Sequence, residues 1–166
     1  MIRRARPEDH ARVTEIRNSV TENVLRDPGR VTIEHYRWFE QNPGVWVWEE
    51  NGRVLGFSAA DPRDGSIWAL FVDPAHEGRG IGRRLFAKAC DLLRHAGHRT
   101  GTLTTEPGSR ADRFYQAAGW KVMGTSERGE RIFHGVLTRT LPVQDSPPFS
   151  SRPARASGSA APRRRR

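Results

Sequence analysis

The chain has 166 residues, of which 36% are hydrophobic, and this length is enough for one domain with a buried core. No apolar stretch of about 20 residues is present, which excludes a membrane-spanning helix, and the single cysteine, Cys90, excludes an internal disulfide, so we expect a cytoplasmic protein. The formal net charge is +9, but residues 143–166 hold six arginines and one aspartate, so residues 1–142 are only mildly basic.

The amino-terminal part of the chain is predicted to form a short edge strand and two helices. Residues 1–6 have the pattern of an edge strand, and Pro7 suits the first position of a helix. Residues 23–31 form a loop that contains a Pro-Gly turn. Thr32 can cap the second helix, which is expected to end before Pro43.

Two strands joined by a tight turn are predicted next. Residues 44–50 contain V-W-V-W, and residues 53–59 are a second apolar run. Asn51-Gly52 lies between them, and this dipeptide between apolar runs is a strong hairpin signal. We expect both strands in the interior of a sheet, followed by a turn over residues 61–65.

Residues 66–97 are predicted to form a strand, a glycine-rich turn and a helix. The apolar run 67–72 indicates a buried strand, and Pro74 stops it because proline cannot donate to the ladder. Three glycines then follow at every second position: Gly78, Gly80 and Gly82. From Ile81 the apolar period becomes helical, and Gly97 is a natural left-handed residue after the helix.

The rest of the chain predicts one more strand, one more helix, a hairpin and a tail. Residues 99–105 are expected to run parallel to the preceding strand through a right-handed crossover. Ser109 with Asp112 is a capping pair for the following helix, and residues 120–141 form the final hairpin.

These elements predict two regions. Residues 1–141 form one α/β domain, a mixed sheet of six or seven strands flanked by about four helices. Residues 142–166 are rich in arginine, proline and serine and are expected to be a disordered tail.

The glycine-rich turn has two interpretations. The amino end of a helix attracts phosphate, and glycines allow close approach to the backbone, so the turn suits a phosphate group. Neither the GxxxxGK[ST] nor the GxGxxG spacing is present, and three glycines also suit an ordinary turn before a helix.

The pattern V-D-P-A-H-E-G-R-G-I-G-R-R-L at residues 72–85 is followed by A-D-R-F-Y-Q-A-A-G-W at residues 111–120. Together these resemble the GCN5-related N-acetyltransferase (GNAT) family in spacing and order. Glu77 stands where that family usually has glutamine or arginine. The resemblance covers about residues 1–141 and implies a GNAT-like mixed sheet.

The same resemblance implies that acetyl-CoA is the acyl donor and that no metal takes part. Two neighbouring strands would splay apart, and the main chain of Leu70, Phe71 and Val72 would bind the pantetheine arm and polarise the thioester. The glycine-rich turn would bind the pyrophosphate through Gly78, Arg79, Gly80, Ile81, Gly82 and Arg83.

By resemblance, Tyr115 is the general acid that protonates the leaving CoA thiolate. Many family members have a carboxylate in the middle of the strand after the glycine-rich helix. Residues 103–105 of this strand are L-T-T, so the resemblance assigns no general base. Glu106, His35 and His134 remain candidates for that base.

We therefore expect an acetyl-CoA-dependent N-acetyltransferase that acetylates a primary amine on a small molecule, a peptide or a protein. The alternative is a non-catalytic GNAT-fold binding module that contacts nucleic acid through its basic tail. The intact glycine turn and Tyr115 favour the enzyme. The acceptor and the oligomeric state, including a homodimer, are left open.

Overall fold

The computed structural model describes residues 1–23, 34, 37 and 44–137. Within them lie the strands β1 Ile2–Arg4, β2 Val45–Glu50, β3 Arg53–Asp61, β4 Ser66–Val72, β5 Thr100–Thr105, β6 Lys121–Thr125 and β7 Arg131–Val136. The α-helices are α1 His10–Ser19, α2 Ile81–His95 and α3 Arg110–Ala117, and two 3-10 helices cover Pro7–Asp9 and Pro74–His76. Among them, none is both long enough and apolar enough to cross a membrane.

Two predicted elements lie largely or wholly outside the described residues. Of the helix predicted after Thr32, only Glu34 and Arg37 are described, and both are helical. The predicted tail, residues 142–166, is not among the described residues, nor is His35.

The seven strands described form one mixed sheet in the order β1-β2-β3-β4-β5-β7-β6. β4 and β5 are parallel, and the other neighbouring pairs are antiparallel. β1 lies at one edge of the sheet, as its sequence predicts, while β2 and β3 lie inside it. The expected fold class, a mixed α/β sheet of six or seven strands, is confirmed.

Local turn chemistry explains several element boundaries. Asn51 and Gly52 have positive φ values of 50° and 73°, which suits the tight turn between β2 and β3. Gly97 follows α2 with a φ of 98°. At the start of α3, the Asp112 amide donates to Ser109 Oγ at 3.1 Å.

The core has a layer on each face of the sheet. On one face α1 packs against the central strands through the residues Val13, Ile16, Val45, Val47, Phe57 and Ala59. On the other face α2 and α3 pack through Phe86, Ala89, Leu93, Leu103, Tyr115 and Phe133. The sheet therefore separates α1 from the glycine-rich turn that opens α2.

Gly56 in β3 allows α2 to lie close to the sheet. A Cβ at this position would stand 2.9 Å from Phe71 O, 3.1 Å from Leu85 Cδ1 and 3.3 Å from Ile81 Cγ2. Only glycine avoids all three contacts, so the first turn of α2 rests directly over the carboxyl end of β4.

Candidate active site

The parallel strands β4 and β5 separate along their length. Their ladder pairs Ser66 with Thr102, where the Thr102 amide donates to Gly65 O at 3.0 Å. β4 continues to Val72 and β5 to Thr105 without further pairing between them. An opening in the sheet follows, and its walls carry main-chain groups that pair with no other strand among the described residues.

Hydrogen-bond alternation shows which groups of β4 face this opening. The Asp73 amide donates to Leu55 O at 2.8 Å, on the β3 side. Because successive residues of a strand turn their main chain to opposite neighbours, the Phe71 main chain also faces β3. The N–H and C=O groups of Leu70 and Val72 therefore face the opening.

A β-bulge lies just before this end of β4. Ala59 pairs with Ala69, whereas Ala60 pairs with Ile67, so Trp68 has no partner residue on β3. Such a bulge bends the strand and increases its twist. The extra residue therefore makes the end of β4 diverge from β5.

The glycine-rich turn presents main-chain amides at the start of α2. Gly78 and Gly80 have φ values of 75° and 77°, and a Cβ at either would have no neighbouring atom within 4 Å. Gly80 caps α2 without a side-chain hydrogen bond, and the Ile81 side chain is buried beneath it. The first-turn amides of a helix have no acceptor within the helix, so the turn can bind an anion.

The arginines around this turn are partly neutralised. Arg79 Nη2 donates to both carboxylate oxygens of Glu50 in β2, at 2.9 and 2.8 Å. Glu77, immediately before Gly78, forms an ion pair with Arg110 in the first turn of α3. Arg83 is exposed on α2.

Tyr115 lies in α3 within a group of aromatic rings on the α2 side of the sheet. Its ring centroid is 5.4 Å from that of Phe86, 5.3 Å from Phe114 and 5.8 Å from Phe133. Burial, with a smaller effect from nearby Cys90, raises the pKa of the phenol above its ordinary value. Tyr115 is therefore protonated at neutral pH.

The chain after α1 docks on the end of β5 through Asn23. Asn23 Oδ1 accepts from Thr105 Oγ1 at 2.9 Å and from the Glu106 amide at 2.8 Å. The main-chain N–H of Asn23 donates to Glu106 Oε2 at 3.0 Å, and the main-chain N–H of Arg110 donates to Glu22 Oε2 at 2.7 Å. Two carboxylates are thereby held beside β5, an arrangement that sequence reasoning missed.

An arginine from α1 lies over the end of β4. Arg17 Cζ is 4.2 Å from the centroid of the Phe71 ring. Phe71 and Trp68 pack against the core layer that contains Val13 and Ile16, so this arginine lies on the α1 face. Sequence reasoning gave no signal for this contact, because the two residues are far apart in the chain.

Other reactive side chains are placed less favourably. His134 is exposed on β7, opposite Thr102 of β5. Burial, with a contribution from Asp91, raises the pKa of the Cys90 thiol to about 12, so it is not a thiolate at neutral pH. Among the described residues, no group of three or more histidine, cysteine or acidic side chains could hold a metal ion.

A model described as the acetyltransferase (GNAT) family matches residues 10–120. Among curated proteins, the L-methionine sulfoximine/L-methionine sulfone acetyltransferase of Salmonella typhimurium is 34% identical over 58% of this chain and 64% of that protein. The mycothiol acetyltransferase of Beutenbergia cavernae is 30% identical over 57% of this chain and 35% of that protein. The chain thus spans less than two thirds of the length of both relatives.

A longer match is the L-amino acid N-acyltransferase of Escherichia coli, 29% identical over 73% of this chain and 79% of that protein. Among solved structures, the Salmonella typhimurium protein yncA with its cofactor acetyl-CoA has a TM-score of 0.68 at 23% identity, covering 88% of this chain and 98% of that chain. The paia N-acetyltransferase of Thermoplasma acidophilum in complex with coenzyme A has a TM-score of 0.63 at 16% identity, covering 82% and 98%. At these identities the two structures show a shared fold.

Proposed function

The chain belongs to the acetyltransferase (GNAT) family, and we propose that it transfers an acetyl group from acetyl-CoA directly to the nitrogen of a primary amine. The observation that carries the proposal is the opening between β4 and β5, which lies beside the glycine-rich turn of α2. The relatives named for acetylation or N-acylation of amino acids and their analogues favour a small-molecule acceptor.

The donor would lie along the opening and end at α2. Its pantetheine arm would hydrogen-bond to the main chain of Leu70 and Val72 as an added strand does. Its pyrophosphate would accept hydrogen bonds from main-chain amides of the glycine-rich turn, which comprises Gly78, Arg79, Gly80, Ile81, Gly82 and Arg83. The main chain of Phe71 would not take part, because it faces β3.

In the reaction, the acceptor nitrogen attacks the thioester carbonyl, so that a C–N bond forms and the C–S bond breaks. The nitrogen loses one proton and the departing sulfur gains one. Main-chain amides at the opening would stabilise the negative charge on the carbonyl oxygen. Glu106 at the end of β5 is the carboxylate we assign to receive the proton, directly or through water.

Tyr115 would act on the departing sulfur. A thiol has an ordinary pKa of about 8.5, and the buried phenol titrates well above that value, so complete proton transfer to the thiolate is uphill. We therefore assign to Tyr115 a hydrogen bond that strengthens as negative charge develops on sulfur. The thiolate can then receive its proton from solvent.

The test is an amine panel in which release of the CoA thiol is measured for the wild type and for Tyr115→Phe. The wild type should release thiol only when an acceptor is present. Tyr115→Phe keeps the ring but removes the hydroxyl, so kcat should fall about tenfold or more while CoA affinity and melting temperature persist. Thiol release independent of any acceptor would contradict the transferase, and full kcat in the variant with chemistry rate-limiting would contradict the role of Tyr115.

A further inference from the structure

Asn23 and Glu106 hold each other through a reciprocal pair of hydrogen bonds. The main-chain N–H of Asn23 donates to Glu106 Oε2 at 3.0 Å, and the main-chain N–H of Glu106 donates to Asn23 Oδ1 at 2.8 Å. Thr105 Oγ1 donates to the same Asn23 oxygen at 2.9 Å. The position of the Glu106 carboxylate therefore depends on a residue 83 positions earlier in the chain.

This pair lies on the wall of the opening that β5 forms. The main-chain N–H of Thr102 donates toward the β4 side, and alternation along the strand turns the main chain of Glu106 to that side as well. Thr102 pairs with Ser66. By residue count from this pair, Glu106 comes level with Leu70, whose main chain faces the opening from β4. The bonds between Asn23 and Glu106 therefore form at the opening.

The backbone of Asn23 has a conformation that few residues other than glycine adopt. Its φ is 54°, in the left-handed region, and among the described residues Asn51 is the one other non-glycine residue with a positive φ, at 50°. Asn51 lies in the tight turn between β2 and β3, which requires such a φ. At Asn23 the conformation accompanies two hydrogen bonds to one partner, Glu106. Residues held in sparsely populated conformations are concentrated at functional sites.

We propose that Asn23 is a positioning residue for proton removal, because it holds the Glu106 carboxylate at the opening. The proposal rests on the proposed acetyl transfer and on its assignment of Glu106. As the C–N bond forms and the C–S bond breaks, the proton leaves the acceptor nitrogen for a Glu106 oxygen, directly or through water. A carboxylate accepts several hydrogen bonds, so the bond from Asn23 leaves room for one from the acceptor. Asn23 acts through Glu106.

The test measures single-turnover acetyl transfer for Asn23→Gly, Glu106→Gln and the double variant. Asn23→Gly can keep the left-handed backbone but loses the side-chain oxygen, so the rate should fall about fivefold or more while acetyl-CoA affinity stays within about twofold. Glu106→Gln should lower the rate about a hundredfold. In the double variant the loss due to Asn23→Gly should nearly disappear, because the two residues act as a unit.

Asn23→Asp adds a readout that depends on pH. Aspartate keeps an accepting oxygen and tolerates the left-handed backbone, but it places a second negative charge beside the Glu106 carboxylate. Like charges disfavour each other's ionised form, so the acid limb of the rate should move to higher pH by about one pH unit. The charged groups around the pair are the same in both proteins: Glu22 beside Asn23, Arg110 with Glu77, and Arg131 of β7 with Asp112. The acceptor amine is also the same, so a moved limb reports the new carboxylate.

Asn51→Gly provides the matched control. It makes the same substitution at the other left-handed asparagine, in the turn between β2 and β3. The rate and its pH dependence should be unchanged in this variant. A melting temperature and an acetyl-CoA affinity near those of the wild type would show that the Asn23 variants are folded, and if Asn23→Gly does not fold, the limb of Asn23→Asp decides.

The possible outcomes separate the assignments. A wild-type rate in Asn23→Gly, an unmoved limb in Asn23→Asp, or a rate loss from Asn23→Gly that persists beside Glu106→Gln would overturn the positioning role while acetyl transfer stands. A wild-type rate in Glu106→Gln would overturn the base and its positioning together. Failure of every amine to release thiol would overturn the transferase and this proposal with it.

Discussion

Replacing Gly80 by alanine can separate donor binding from backbone strain, because Gly97 provides a matched control at the other end of α2. The two glycines have left-handed φ values of 77° and 98°, and a Cβ at either would have no neighbouring atom within 4 Å. A left-handed conformation costs an ordinary residue about 1–2 kcal/mol. Both variants should therefore lose similar stability, seen as a melting temperature lower by roughly 2–8 °C.

Only Gly80→Ala should weaken CoA binding. Its methyl group would occupy the space through which a pyrophosphate approaches the first-turn amides of α2. Loss of one charge-assisted hydrogen bond costs about 1.5–3 kcal/mol, which raises Kd roughly 10- to 150-fold. Calorimetry should find this increase for Gly80→Ala and a Kd within twofold of wild type for Gly97→Ala. Equal CoA affinity in the two variants, with the expected loss of stability in both, would refute pyrophosphate binding by the turn.

Two further predictions concern stability. Gly135→Ala should destabilise the fold strongly or prevent folding, because its Cβ would overlap with the Trp120 ring. Thermal denaturation tests this, and a normal melting temperature would contradict the contact. Burial alone would raise the Asp112 pKa, but hydrogen bonds from the Gly108 amide and Gln116, together with Arg131, outweigh burial and lower it. This stabilisation exists above the ordinary carboxyl pKa and is lost in acid, so the stability difference between wild type and Asp112→Asn should shrink from pH 7 to pH 3. A stability difference that stays the same from pH 7 to pH 3, measured by urea denaturation at each pH, would contradict this prediction.

The elements that the sequence predicts correctly are those set by local chemistry. The turn at Asn51-Gly52 needs two residues that accept positive φ, and the cap at Ser109 needs one hydroxyl three residues before an amide. Both conditions are met within four neighbouring residues. The helix Ile81–His95 is equally local, since its apolar period and the left-handed Gly97 that follows it are visible in one short segment.

The features that sequence reasoning missed depend on residues distant in the chain. Asn23 docks on Glu106, and Arg17 stacks on Phe71, although nothing near either residue specifies its partner. The bulge at Trp68 arises from the register of two strands and not from a glycine or proline. Family resemblance predicts where a donor would bind, whereas these contacts join residues that are far apart in the chain.

The charges around the glycine-rich turn indicate which groups would hold the donor. Arg79 is already engaged by both oxygens of Glu50, and Glu77 places a carboxylate beside Gly78, with Arg110 as its partner. A bound pyrophosphate would have to compete with Glu50 for Arg79 and would be repelled by any excess charge on Glu77. The amides of the first turn face no such competitor within the helix, and their direction is fixed by the backbone. Donor affinity should therefore depend more on the glycines that expose these amides than on the arginines beside them.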